Sequence, residues 1–129
     1  MHRHCTLVTV LLLILLILTG CAKQGSAPGT IEKYLNAKVA SDENKLVNLS
    51  CKTWEAQAIQ DAAAFKSVSA EIKDMSCQEQ GTDGKYTRVT CDGTLVIQYR
   101  GESPREQPLS GTTYLAVKED SEWKMCGQQ

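Results

Sequence analysis

The stretch from Met75 to Cys91, MSCQEQGTDGKYTRVTC, limits the fold more than any other part of this chain. Two strand-like arms flank Asp83-Gly84, a dipeptide that favours tight hairpin turns. A three-residue loop over Asp83–Lys85 pairs residues whose numbers sum to 168, which sets Cys77 opposite Cys91. Residues opposed across antiparallel strands hold their Cα atoms about 4.5–5.5 Å apart, which is within reach of a disulfide. A two-residue turn at Asp83-Gly84 shifts the sum to 167 and breaks the match.

The first twenty residues have a different character. Arg3, between His2 and His4, is the only early charge, and Leu7 to Leu18 is apolar apart from Thr9. A basic start, an apolar stretch of about 7–15 residues and a small-residue end are the pattern of a secretory signal. The uncharged run from Cys5 to Ala22 is 18 residues, just short of the roughly 20 that a transmembrane helix needs. Thr19 and Gly20 suit a peptidase better than a bilayer.

Leu18-Thr19-Gly20-Cys21 resembles the lipobox of bacterial lipoproteins. The resemblance implies a diacylglyceryl group on the Cys21 thiol and cleavage before it. Residues 1–20 are then a signal peptide, and Cys21 is the anchored N-terminus. Each buried methylene of the anchor contributes about 0.8 kcal/mol. The expected partner is the membrane, reached through this lipid on the extracytoplasmic face.

Losing residues 1–20 leaves thirteen basic and fifteen acidic side chains and no histidine. A His triad, a His general base and a His metal ligand are therefore excluded from the mature chain. No clustered basic face points to nucleic acid. Cys51, Cys77, Cys91 and Cys126 remain, an even number for an oxidising compartment. Their gaps of 26, 14 and 35 residues do not suit the close pairs of a zinc site, and no metal or cofactor is expected. Four cysteines allow three connectivities. The hairpin register favours Cys77–Cys91, and Cys51–Cys126 follows by elimination.

Residues 22–29, AKQGSAPG, complete a short flexible tether over 21–29, ahead of a domain over 30–129. Thr30 can cap a helix to about Ala40 whose apolar face holds Ile31, Tyr34, Leu35 and Val39, with the stem of Lys38 at its edge. Ser41-Asp42-Glu43 opens a second helix to about Leu49. Thr53 can cap a third, WEAQAIQDAAAF, with Trp54, Ala58 and Phe65 inward. Alternation then begins at Val68 and shifts phase between Ile72 and Met75, which predicts a bulge near Asp74. Val89, Cys91, Leu95, Ile97 and Tyr99 share one strand face, with Gly93 in the same column. GESPREQPLS reads as a polar turn, and a last hairpin turns at Asp120-Ser121. The expected class is α+β: three helices packed on one face of about four antiparallel strands.

IEKYLNAKVASDENKLVNLSC and EDSEWKMCG resemble the opening helices and closing strand of the NTF2-like (cystatin-like cone) superfamily. The placing of CKTWEAQA relative to the later cysteines is similar to that in uncharacterised lipoproteins of filamentous green bacteria. The superfamily resemblance implies a cone with a pocket between helices and sheet. Some members do acid–base chemistry there with an Asp and a His or Tyr partner. The equivalents here are Asp92, Glu71 and Asp74, with Tyr99 or Tyr114 as donor. Asp92 lies on the polar face of its strand beside Thr90 and Thr94, which suits a solvated residue. Trp54, Tyr34, Tyr99 and Tyr114 are the pocket-lining candidates, with Trp123 beside them. Only seven aromatics exist, so packing is expected to claim most of them.

The function expected is a non-catalytic binding or interaction module for an unknown protein or small-molecule ligand. One alternative is a small-molecule-binding or isomerase-type enzyme working in the cone. Another is a structural or inhibitory envelope protein that docks through a strand edge or the Arg100–Leu109 loop.

Overall fold

The computed structural model describes residues 25–129. Among the described residues, three α-helices precede the strands: α1 (Ala27–Val39), α2 (Glu43–Asn48) and α3 (Glu55–Ala64), with a 3-10 turn over Lys52–Trp54. Five strands follow: β1 (Ser69–Asp83), β2 (Tyr86–Gln98), β3 (Arg105–Pro108), β4 (Thr113–Glu119) and β5 (Glu122–Gln128). All pair antiparallel in one sheet of order β1-β2-β4-β5, with β3 also on β2. The class is α+β, as expected.

Helix α1 starts earlier than its sequence suggests. Ser26 is the cap, and its hydroxyl accepts from the Gly29 N–H at 3.1 Å. Pro28 is tolerated in the first turn, where its missing N–H costs nothing. Ala27-Pro28-Gly29 therefore belongs to the helix and not to the tether. Thr30 is buried instead of capping, and its hydroxyl donates to the Trp123 carbonyl. Ile31, Tyr34 and Leu35 are buried as the spacing predicts. Asp42 caps α2 and accepts from Lys45 N–H at 3.1 Å, and Leu46 is fully buried. Thr53 caps nothing, because the chain first makes a 3-10 turn; its hydroxyl lies 3.3 Å from the Cys51 sulfur. Ala58 is buried on α3, whereas Phe65 is only half-buried.

The sheet is bent by three bulges, each placing two residues against one. Asp74 and Met75 oppose Gly93, where the phase shift predicted a bulge. Asp74 has φ 53° and Gly93 has φ 129°. A Cβ on Gly93 would lie 2.9 Å from the Lys73 carbonyl oxygen, so the close approach requires glycine. Gln80 and Gly81 oppose Arg88, and Cys126 is the extra residue between the Leu115–Gly127 and Ala116–Met125 pairs.

The cysteine hairpin reaches its expected pairing by a different route. The turn is two residues, Gly84-Lys85, closed by Asp83 opposite Tyr86. On its own it would misalign the cysteines by one residue. The bulge at Gln80-Gly81 removes the offset, so Cys77 faces Cys91 and is joined to it with Cα atoms 4.0 Å apart. The second disulfide is Cys51–Cys126. Around it the segment after α2 hydrogen-bonds to β5: Cys51 N–H donates to Met125 O at 2.8 Å, and Met125 N–H donates to Leu49 O at 2.7 Å. A sheet edge otherwise open to solvent is thereby occupied.

The long strand β2 organises the rest. β1 pairs along its length, while β4 takes Thr87–Thr90 and β3 takes Thr94–Ile97. The polar turn expected over Gly101–Ser110 thus contains a fifth strand. It is short and fully exposed, with Leu109 behind it buried. At the other end, Asp120 and Ser121 both take positive φ and turn β4 into β5, a twist that suits a two-residue hairpin.

The sheet curls around α1. From neighbouring positions on that helix, Thr30 reaches β5 through the Trp123 carbonyl, and Glu32 accepts the Cys77 N–H of β1 at 3.1 Å. One helix therefore bridges the two outer strands. The space between is filled by Ile31, Tyr34, Leu46, Val89 and Met125, all fully buried.

Removing a disulfide should cost stability according to loop length. Replacing Cys51 and Cys126 by Ala is expected to lower unfolding free energy by roughly 4 kcal/mol, and replacing Cys77 and Cys91 by roughly 3 kcal/mol. Gly93→Ala should cost about 2–4 kcal/mol through the bulge alone. Urea titrations of the oxidised proteins measure all three.

Candidate functional site

The buried polar group with the most partners is Asp61, on α3. It stands three residues after Ala58 and one before Ala62, both fully buried, so it shares the inward stripe of that helix. Its carboxylate accepts from Tyr34 Oη at 2.8 Å and Gln57 Nε2 at 3.1 Å, and Lys38 Nζ lies 3.3 Å away. Tyr34 Oη in turn accepts from Trp54 Nε1 at 3.1 Å. Tyr34 and Lys38 sit four residues apart on α1, as Gln57 and Asp61 do on α3, so each pair shares a helix face.

The electrostatics follow from burial. Desolvation pushes the Tyr34 phenol well above its ordinary range, and the hydrogen bond to the Asp61 carboxylate raises it further. Tyr114 is raised as well, chiefly by desolvation, with a smaller contribution from the charge of Asp61. Both phenols are held neutral. Among the described residues, no buried side-chain nitrogen or oxygen lacks a partner.

Three of the four aromatic pocket candidates meet in this interior. Tyr34 and Trp54 join Asp61 directly, and Tyr114 is buried close enough to sense its charge. They fill the space. Tyr99 lies outside it: it is 42% exposed, and Arg105 stacks on its ring at 5.4 Å from the centroid. It falls just past the end of β2, where the sheet no longer covers that face. The three acids suggested as bases are apart from the interior. Asp92 is exposed opposite Ser76, Glu71 pairs with Lys73 at the surface, and Asp74 sits exposed in the bulge. Asp61 was not singled out by the sequence reading. The available signal was an acid on the apolar stripe of an alanine-rich helix, in phase with Ala58.

Two clefts open at the surface of the described residues. One cleft of about 420 Å³ lies between the start of α1, the end of α2 and the start of β5, and Thr30, Lys33, Asn48, Trp123 and Lys124 line it. Lys124 Nζ donates to Asn48 O at 2.7 Å and pairs with Glu122 at 2.9 Å. The Lys124 ammonium also lowers the Glu122 pKa, first through its hydrogen bond to the Glu122 carboxylate and then through its charge. A second cleft of about 400 Å³ lies at the other end of the sheet, between β1, β2 and β3. Among the described residues, no group of His, Cys, Asp and Glu is placed to hold a metal ion, and no helix is long and apolar enough to cross a membrane.

No protein-family model matches the chain, and no curated protein matches it either. Among solved structures it is similar to the solution structure of a SEC-C motif containing protein from Rhodopseudomonas palustris. The two share 10% identity with a TM-score of 0.51, over 80% of this chain and 78% of that one. At that identity the likeness extends to the fold alone.

Asp61→Ala strips the acceptor from Tyr34 and the counter-charge from Lys38. It should destabilise the domain by roughly 3–5 kcal/mol in urea unfolding. The phenol gives a separate pH signature. Its pKa is raised on folding, so its contribution is whole below the unfolded value of about 10 and is lost as pH climbs from there through the folded value. The stability gap between wild type and Tyr34→Phe should therefore hold steady below about pH 10 and narrow as pH rises above it.

Proposed function

We propose that this chain is a lipid-anchored extracytoplasmic protein whose single domain, NTF2-like in plan, serves as a non-catalytic binding or interaction module. The observation that carries the anchoring is the cysteine count. The two disulfides use Cys51, Cys126, Cys77 and Cys91, which leaves Cys21 as the one other cysteine of the chain from residue 21 onward. It stands at the end of an apolar leader in a lipobox context, which is where a diacylglyceryl group would be added. Paired cysteines also suit an oxidising compartment.

The NTF2-like plan is supported by the curl of the sheet around α1 and by helices preceding the strands. The non-catalytic part is supported by the state of the acids. Asp61 already accepts from Tyr34 and Gln57 and faces Lys38, and Tyr34 and Tyr114 are held as neutral phenols in a filled interior. A general base needs an open approach and a pKa near the working pH. The partner, protein or small molecule, would then meet the surface and not the core.

Mass spectrometry of membrane fractions tests the anchor. A diacylglyceryl-modified Cys21 peptide is expected, together with loss of residues 1–20. Cys21→Ser should leave the leader attached and abolish incorporation of a labelled fatty acid. Finding Cys21 unmodified in the wild type would overturn the anchoring.

A further inference from the structure

The helix that begins at Ala27 shortens the tether. Only Ala22, Lys23 and Gln24 lie between Cys21 and Gly25, and Gly25 itself lines the 420 Å³ cleft. Four peptide steps span at most about 14 Å. If Cys21 is at the membrane surface, the rim of the cleft is held within that distance of it. Without any further contact, this face is the one turned toward the lipid.

We propose that the cleft rests on the membrane and takes a phospholipid headgroup; the inference builds on the anchoring reading above. Its lining suits such a ligand. Lys33 is exposed and has no ion-pair partner among the described residues, so its ammonium is available to a phosphate. Lys124, already fixed by Asn48 O and Glu122, adds a second cation on the opposite wall. Glu122 beside it can face the ammonium of a zwitterionic head. Trp123, half-buried and with the Lys118 ammonium over its ring at 5.4 Å, also lines the cleft, and its apolar body and polar edge are the kind that favours the headgroup level. The opposite end of the sheet, with Lys73 and the second cleft, is carried away from the membrane along the length of β1.

Footprinting of lysines with an amine-acylating reagent tests this. The chain from Cys21 to Gln129 contains every described element and both disulfides, so Cys21 offers its free thiol. Coupling that thiol to a maleimide-bearing lipid anchors the protein whether or not the cell lipidates it. Failure of the anchoring reading would appear separately, in the mass of the natural N-terminal peptide. In vesicles of phosphatidylethanolamine and phosphatidylglycerol, Lys33 should acylate several-fold more slowly than in the uncoupled chain. Lys66 and Lys73 should be unchanged. Galactolipid vesicles, which lack the phosphate, should protect Lys33 less. Equal Lys33 rates in coupled and uncoupled protein, or in phospholipid and galactolipid vesicles, would overturn the proposal. So would protection already present without vesicles, which a second copy of the chain seated in the cleft would give.

Discussion

A carboxylate removed from water must be met by donors, and the helical layer of this protein is arranged around one such group. Asp61 has Tyr34 and Gln57 as hydrogen-bond donors and Lys38 as counter-charge. Those partners come from α1 and α3, and Trp54 extends the chain of bonds into the 3-10 turn between α2 and α3. Desolvation penalises an unpaired buried charge by several kcal/mol, so the helices cannot drift apart without exposing that cost. The network fixes how α3 sits on α1. The apolar contacts of Ile31, Leu46 and Ala58 then have a defined geometry to fill.

The sheet meets a different constraint with the same helix. Its two outer strands would each present free backbone groups. α1 answers both, with Glu32 at the Cys77 N–H and Thr30 at the Trp123 carbonyl. This works only if the sheet bends far enough to bring β1 and β5 within reach of one helix. The bend is supplied where Asp74 and Met75 oppose Gly93 and where Cys126 is inserted in β5. Bulges increase local twist, so here they serve as structural hinges and not as defects. The insertion at Cys126 also places that residue outside the regular pairing of β4 and β5, where it meets Cys51.

Much of this layout could be read from the residues because it depends on local chemistry. The apolar face of α1, the acid-rich start of α2, the phase shift at Asp74 and the Asp120-Ser121 turn are short-range signals, and the structure holds each of them. The misses have physical causes. Ala27-Pro28-Gly29 reads as tether because Pro and Gly break helices in their interiors, yet a first turn tolerates both. Arg105–Pro108 reads as loop because it is polar, short and ends in proline; it becomes a strand only because β4 leaves half of the β2 edge unoccupied. The burial of Asp61 is hinted at by its phase with Ala58, but its partners are not legible, because the main one, Tyr34, lies 27 residues away. The cysteine hairpin was paired correctly from a turn that was one residue too long, since the offset is absorbed by a bulge at Gly81 that no alternation rule anticipates.

The early start of α1 matters most outside the fold. If Cys21 carries a lipid, a tether ending at residue 29 would let the domain tumble at some distance from it. With Ser26 already capping a helix, the rigid body begins five residues after Cys21. The short linker would then limit how far the start of α1 can move from the lipid. On the proposed anchoring at Cys21, the end of the sheet carrying the Asp120-Ser121 turn would face the lipid, and the end carrying β3, Tyr99 and Arg105 would face away. The exposed Tyr99, stacked under Arg105, would then lie on the side away from the lipid, outside the packed interior that holds Tyr34, Trp54 and Tyr114.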